Sequence, residues 1–216
     1  MTVVTKALLK KIGACDDGTE YAVKSLLGKS YSDAIKQCIA DNKLQWANWG
    51  IVRVMDKIER VKYAVYAARQ VLNIFEDKYP NDKRPREAIE SAEQWTRNPS
   101  EKNRNAADAA SAAAYNAADA AANADADAAA NAAYAAANAD ADAAYAAYAY
   151  AAASAASAAN AAANAAAYAA YAAANADADA AYAANAYAAA YVAMRIKILK
   201  YGILLLSKQA KGEPND

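Results

Sequence analysis

The sequence of 216 residues contains no histidine, two cysteines and a single phenylalanine. Without histidine, the commonest catalytic base and metal ligand is missing, so histidine-based catalysis is excluded. Cys15 and Cys38 are too few for a disulfide framework, and we expect both to be reduced thiols that serve in packing. Glycine-rich phosphate loops are also missing. The sequence therefore predicts no catalytic residues, no metal site and no cofactor.

Glycine and proline are missing between Pro99 and Gly202, so nothing there forces the backbone out of a helix. Alanine fills almost every position of residues 106–191, and alanine is the strongest helix former of the ordinary residues because it loses no side-chain entropy. Isolated Asn, Asp, Ser and Tyr residues interrupt it at steps of three and four, which is the helical period. This stretch is predicted to be helical.

The alanine-rich stretch is too long to be one helix of a compact protein. At 1.5 Å per residue it would extend roughly 130 Å, against a radius of gyration of roughly 17 Å for a chain of this size. Many of its polar residues repeat at an offset of 37 positions, which indicates an internal duplication. The Asn-Ala-Asp-Ala-Asp segments that begin at Asn123, Asn138 and Asn175 are the candidate turns, and the tyrosine-dense residues 145–154 are another candidate break. We expect an all-α fold, a multi-helix bundle or solenoid-like array with closely packed alanine-rich helical hairpins.

The remaining sequence predicts conventional helices. Residues 51–78 form one helical region with an apolar stripe, and a further helix over 86–97 is preceded by Pro85. Ser30 or Ser32 is the predicted cap of a helix over 33–41, residues 16–18 a turn, and Ser100 the cap of the alanine-rich section. Trp46 and Trp49 share one helical face, which favours core packing over a binding hot spot.

The predicted organisation is a single all-helical domain, 1–216. Residues 1–104 form a conventional helical half, 105–191 the alanine-rich helices, 192–210 a closing helix that packs on the first hundred residues, and 211–216 a frayed tail.

Charge is unevenly distributed although the formal net charge is zero. Residues 106–191 hold eight Asp and no Lys or Arg, which gives this stretch a charge of −8. The other 16 acidic residues and all 24 basic residues lie in the rest of the chain, which therefore has a charge of +8. The basic part can dock on the acidic part within the fold, or the acidic surface can face a basic protein partner. Clustered basic residues with interleaved aromatics, a secretory signal and an apolar membrane span are all missing. We expect a cytoplasmic protein that binds neither nucleic acid nor membrane.

Candidate partner-binding residues lie mostly on the acidic segments. The Asn-Ala-Asp-Ala-Asp segments imitate the start of a calcium loop but lack its glycine and glutamate, so calcium binding is not expected. Arg84 and Arg86 beside Pro85 can hold a carboxylate or phosphate with two hydrogen bonds each, although pairing with Glu76, Asp77 or Glu90 is favoured. The predicted partner-binding residues are Asp125, Asp127, Asp140, Asp142, Asp177, Asp179, Tyr145, Tyr148, Arg84 and Arg86.

Several segments, in this order, resemble one known family: 12–18 (IGACDDG), 46–49 (WANW), 63–72 (YAVYAARQVL) and 82–95 (DKRPREAIESAEQW), followed by alanine pairs. Together they resemble the immunity proteins of bacterial and prophage-associated toxin systems, over nearly the whole chain. This sequence departs from the family by carrying Asn, Asp and Tyr at charged and Trp positions of the alanine repeat. The resemblance implies a non-enzymatic protein that inhibits a toxin by covering its active surface.

Two other functions are compatible with the alanine-rich pattern. The helices can form a scaffold or spacer that self-associates through flat Ala/Tyr faces into a homo-oligomer. They can also be compared with helical ice-binding proteins, although those carry ranks of threonine and residues 106–191 contain none. Partner capture, light scattering and thermal hysteresis distinguish the three.

Overall fold

A computed structural model of the chain describes residues 3–120, 131, 133, 152, 153, 155, 156 and 180–211. These residues form an all-α fold, in which β-structure is limited to a bridge between Val3 and Ser30. The nine helices of the described part are α1 (Lys6–Lys11), α2 (Asp16–Ser25), α3 (Tyr31–Ala40), α4 (Leu44–Val54), α5 (Lys57–Arg69), α6 (Leu72–Lys78), α7 (Arg84–Arg97), α8 (Glu101–Ala120) and α9 (Ala180–Lys211). None of them combines the length and the apolar character that crossing a membrane requires.

Side-chain caps and glycines set the ends of the first three helices. Ser30 Oγ accepts a hydrogen bond from the backbone N–H of Asp33 at 3.1 Å, which confirms the predicted serine cap. Gly13, with φ of 70°, lies in the left-handed region that glycine tolerates and follows α1. The turn predicted at residues 16–18 is wrong, because Asp16 and Asp17 occupy the first turn of α2. Their carboxylates suit the positive end of the helix dipole.

The region predicted to be helical over residues 51–78 is helical, and it is divided among the end of α4, α5 and α6. Asp56 interrupts it: its side chain accepts from the backbone N–H of Glu59 at 2.9 Å, and Glu59 reaches back to the Asp56 N–H. This reciprocal capping box begins α5. A second interruption separates α5 from α6, where Val71 N–H bonds to the carbonyl of Ala68, three residues earlier.

Helix α7 begins at Arg84, two residues before the predicted start, and α8 begins directly after the predicted cap Ser100. Pro85 lies in the first turn of α7, and Ser100 Oγ accepts from Asn103 N–H at 3.3 Å before the alanine-rich α8. The apolar stripe of α7 is buried in the core, as predicted, and consists of Ala88, Ile89, Ala92 and Trp95. Trp46 and Trp49 of α4 are only half-buried; the buried face of α4 carries Leu44, Ala47, Asn48, Ile51 and Val52 instead.

Helix α9 closes the fold against α3, α4 and α5, which confirms that the C-terminal helix packs on the first hundred residues. It crosses the predicted boundary at residue 192, because it begins at Ala180 inside the alanine-rich stretch. Helix α9 comes close to α4 and α5 at Gly202. A Cβ placed on Gly202 would lie 2.5 Å from Ile51 Cδ1 and 2.8 Å from Tyr63 Cε2. Only glycine fits this crossing without displacing a neighbour.

Small side chains contribute to the core together with the large ones. Ala114, Ala133, Ala153 and Ala156 are fully buried in the same cluster as Tyr63, Phe75 and Ile198. Alanine faces let helices approach closely, since no long side chain separates the backbones. The predicted turns at Asn123, Asn138 and Asn175, and the tail beyond Lys211, lie outside the described residues.

Candidate functional site

Helix α7 presents a stripe of charged residues of both signs on its outer face. Arg86, Glu90, Glu93 and Arg97 follow one another at intervals of four, three and four residues, which places them on one side of the helix. The apolar residues Ala88, Ile89, Ala92 and Trp95 hold the opposite side in the core. Burial of that apolar face therefore fixes the direction in which the charged face points.

Two arginine–glutamate pairs connect the stripe to the neighbouring helices. Arg86 donates from Nε and Nη2 to the two carboxylate oxygens of Glu76, at 2.6 and 2.5 Å. Arg69 of α5 donates from Nε and Nη2 to Glu93, at 2.5 and 2.8 Å. In each pair two parallel hydrogen bonds join the guanidinium to the carboxylate and fix the orientation of both groups. The stripe is therefore ordered by contacts with α5 and α6 as well as by its own helix.

Longer contacts complete the network along α7. Arg86 Nη1 lies 3.8 Å from Glu90 Oε1, and Arg97 Nη2 lies 3.7 Å from Glu93 Oε2. The hydrogen bond from Arg86 lowers the pKa of the Glu76 carboxyl, and the bond to Glu93 raises the pKa of the Arg69 guanidinium. Three arginines and three glutamates lie together on one surface, which we call the α7 surface (Arg69, Glu76, Arg86, Glu90, Glu93 and Arg97).

The pairing predicted for Arg86 with Glu76 and Glu90 is confirmed. Arg84 pairs with Asp82 instead of the predicted acids: its Nε lies 2.9 Å from Asp82 Oδ1, and its backbone N–H donates to the same oxygen at 3.1 Å. The Arg84 guanidinium lowers the pKa of the Asp82 carboxyl. Arg84 and Arg86 flank the start of α7 but hold different acids, so they do not form one clamp.

An open hollow of about 620 Å³ lies beside the α7 surface, between α5, α7 and α9. The rings of Tyr66 and Tyr201 stack there with centroids 4.0 Å apart and planes 12° from parallel. Both tyrosines are half-buried, and burial raises the pKa of Tyr201. The hollow is lined by Lys62, Val65, Tyr66, Arg69, Glu93, Thr96, Arg97 and Tyr201.

The chemistry of this region suits recognition of a protein surface. Tyrosine and arginine dominate binding energy at protein interfaces, since they combine large contact area with hydrogen bonding. Arg97 is the most exposed member, with 77% of its side chain accessible. Within the described residues, no group of three or more Cys, Asp or Glu side chains has the arrangement of a metal site.

The ten partner-binding residues predicted from the sequence lie only partly among the described residues. Two of the ten, Arg84 and Arg86, are described, and Arg86 is part of the α7 surface. The rest lie outside the described residues: Asp125, Asp127, Asp140, Asp142, Asp177, Asp179, Tyr145 and Tyr148.

Sequence reasoning missed Tyr66, Arg69, Glu93 and Tyr201 as site residues. The sequence did indicate the contact between Glu93 and Arg97, because these oppositely charged residues are four positions apart on a predicted helix with a clear apolar stripe. The Tyr66–Tyr201 pair joins α5 to α9 across 135 positions of the sequence, and no local pattern reports such a contact.

Comparison with known proteins places this surface in a family context. Residues 50–137 match a family model described as Imm-5 like putative immunity protein. No curated protein and no solved structure matches the chain. The match covers α5, α6, α7 and α8, and hence every residue of the α7 surface, whereas the segments 12–18 and 46–49 that contributed to the resemblance lie before it. Over residues 50–137, the resemblance of this chain to the immunity proteins is therefore confirmed.

Proposed function

We propose that this protein is a non-enzymatic, cytoplasmic immunity protein that binds a protein toxin and covers its active surface. The observation that carries the proposal is the family match over residues 50–137, which contains the whole charged face of α7. The family supports a role that depends on a protein partner and not on catalysis. Arg86 and its neighbours supply the contact chemistry.

The α7 surface and the adjoining hollow are the contact region that we propose. Their charges are preorganised, since each bidentate pair holds a guanidinium in one orientation before the partner arrives. Preorganised side chains lose little conformational entropy on binding. The stacked tyrosines Tyr66 and Tyr201 form an amphipathic floor in the hollow, next to the exposed Arg97.

The acidic segments of the alanine-rich stretch are a second proposed contact. Residues 106–191 carry a charge of −8, which favours a basic toxin and speeds its association by electrostatic steering. The Asp and Tyr residues predicted from the sequence would belong to this contact. Arg84 remains a proposed contact at the edge of the α7 surface.

Co-expression tests the function. The product of the neighbouring gene is the toxin candidate, and the unaltered protein is expected to restore growth of cells that express it and to form a stable complex in calorimetry. Failure of both rescue and complex formation with a neighbouring toxin would contradict the proposed function.

Variants then locate the contact. Arg97→Glu reverses the most exposed charge of the α7 surface and is expected to weaken toxin binding by about tenfold or more. Lys36→Glu on α3 is the matched control, since its side chain is 61% exposed and the charge change is identical. Substituting Asp140 and Asp142 by Asn tests the acidic contact. If the variant with Asn at positions 140 and 142 weakens toxin binding and Arg97→Glu does not, the immunity function is retained and the α7 surface is rejected as the contact.

Self-association through Ala/Tyr faces is a separate proposal that follows from the alanine pattern. Static light scattering over a concentration series tests it, and a constant monomer mass would reject it.

A further inference from the structure

A second cavity lies among the first four helices, away from the α7 surface. Its volume is about 380 Å³, and residues of α1, α2, α3 and α4 line it. Gly50 and Val54 are the lining residues that fall within the family match. Small-molecule sites have volumes of about 300–1,000 Å³, so this cavity is large enough for a compact ligand.

Aromatic side chains form one wall of this cavity and are held in place by neighbours. The Trp46 ring lies 5.2 Å from the Tyr21 ring, centroid to centroid, and Lys43 Nζ lies 5.0 Å from the Trp46 ring centroid. Arg53 Cζ lies 4.2 Å from the Trp49 ring centroid. These contacts help to hold the two indoles in place, and both tryptophans line the cavity.

None of the described residues that line the cavity is charged, and most are aliphatic or aromatic, the exceptions being the glycines, Gln45 and the two cysteines. Tyr21 lines the cavity, and its hydroxyl donates a hydrogen bond to Asp41 Oδ2 at 2.7 Å. Burial raises the pKa of the Cys38 thiol, so this sulphur is uncharged at neutral pH. A charged ligand would lose its hydration here without gaining an opposite charge, which disfavours its binding. The lining therefore selects a neutral ligand.

We propose that this cavity binds a neutral, flat aromatic molecule of about the size of two or three rings. Its rings would stack on Trp46 and Trp49, and Leu8 of α1 and Ile12, which follows α1, would add apolar contacts. The Gln45 amide supplies the polar contact that orients a single hydrogen-bonding group. The sulphurs of Cys15 and Cys38 add favourable contacts at the ring edges. This proposal does not depend on toxin binding.

Fluorescence titration with N-phenyl-1-naphthylamine, a neutral aromatic probe, tests the site. Saturable binding with one probe per chain is expected, with energy transfer from Trp46 and Trp49 to the bound probe and an increased Tm. A linear, non-saturating signal would overturn the proposal.

Gly50→Leu is expected to fill the cavity from α4, the helix that also carries Trp46 and Trp49. A Cβ at Gly50 meets only Ile35 Cδ1, at 4.0 Å, so the start of the new side chain has room. Probe affinity is expected to fall by about tenfold or more, while thermal stability is retained. Ala40→Leu is the matched control, because it adds the same side chain at an exposed position on α3 that does not line the cavity. Equal affinity of the two variants would overturn the proposal.

Alkylation of Cys15 gives a second measurement on the unaltered protein. Cys15 is exposed and lines the cavity, whereas Cys38 is buried. Saturating probe is expected to slow the reaction of Cys15 with iodoacetamide by about tenfold. An unchanged rate would place the probe elsewhere and reject the site, whether or not Gly50→Leu folds.

Discussion

The hydroxyl of Tyr63 donates a hydrogen bond to the side-chain oxygen of Asn48, 2.9 Å away, in the buried contact between α4 and α5. Tyr63 is fully buried and Asn48 is 5% exposed, so water cannot replace this bond. Removing the hydroxyl in Tyr63→Phe leaves a buried acceptor without its donor, which costs about 1–3 kcal/mol of unfolding free energy. Urea denaturation measures the loss.

A double substitution serves as the control for that measurement. Adding Asn48→Leu to Tyr63→Phe replaces both polar partners by apolar groups, and part of the lost stability is expected to return. Strictly additive losses in the double variant would contradict the hydrogen bond as the cause.

Gly202→Ala is expected to destabilise the packing of α9 on α4 and α5. The added methyl group would contact Ile51 and the Tyr63 ring at less than 3 Å, so side chains must shift. Overpacking of this kind costs about 1–3 kcal/mol, more than the alanine gains in helix propensity. Thermal unfolding measures the effect. Gly50→Ala, where the new methyl finds space, is the matched control, and a similar loss at both positions would show that crowding at residue 202 is not the reason.

Glu59 gives the protein a pH-dependent stability. Its side chain is fully buried, and burial, together with the nearby Asp56 carboxylate, raises its pKa from 4.5 to about 7. Between these values the unfolded chain releases its proton before the folded protein does, so the unfolding free energy falls as pH rises from 4.5 to 7 and then stays low. The loss is on the order of 1–3 kcal/mol.

Glu59→Gln removes this titration and is expected to be more stable than the unaltered protein above pH 7. Denaturant unfolding at a series of pH values measures the difference. Glu87→Gln, at an exposed position in the first turn of α7, is the control and leaves the pH profile nearly unchanged. A Glu59→Gln profile that keeps the slope between pH 4.5 and 7 would rule out Glu59 as the titrating group.

Arg86→Met is expected to lower stability by no more than about 1 kcal/mol at neutral pH, since the pair with Glu76 is partly exposed. The pair lowers the Glu76 pKa, so its contribution is present above the ordinary carboxyl pKa and is lost as pH falls through the lowered value. Unfolding at neutral and acid pH measures both effects, with Lys36→Met as control. A loss of several kcal/mol would mean that the α7 surface is structural, and toxin-binding defects there could not be separated from unfolding.

Local chemistry predicted much of the conventional part of the fold. Pro85, the α7 apolar stripe and the caps at Ser30 and Ser100 each depend on neighbours within one or two helical turns, so the sequence is sufficient to find them. The capping box at Asp56 and Glu59 was equally local, but the continuous apolar stripe of residues 51–78 concealed it.

The candidate site was less predictable because its parts come from distant segments. Arg86 and its acid partners were recognised from proximity in the sequence, whereas Tyr201 reaches Tyr66 only after α9 has packed on α5. Likewise, the half-buried positions of Trp46 and Trp49 follow from how four helices surround a cavity, which the spacing of three residues does not report.

The dependence of α4 and α5 on α9 has a consequence during synthesis of the chain. Ile51 and Tyr63 leave the ribosome well before their covering residue Gly202, which follows 139 positions after Tyr63. At a translation rate of about 5–20 residues per second, the apolar surface of α4 and α5 that α9 covers stays exposed for on the order of ten seconds. During that interval the nascent chain exposes this apolar surface to solvent, and the synthesis of α9 is what covers it.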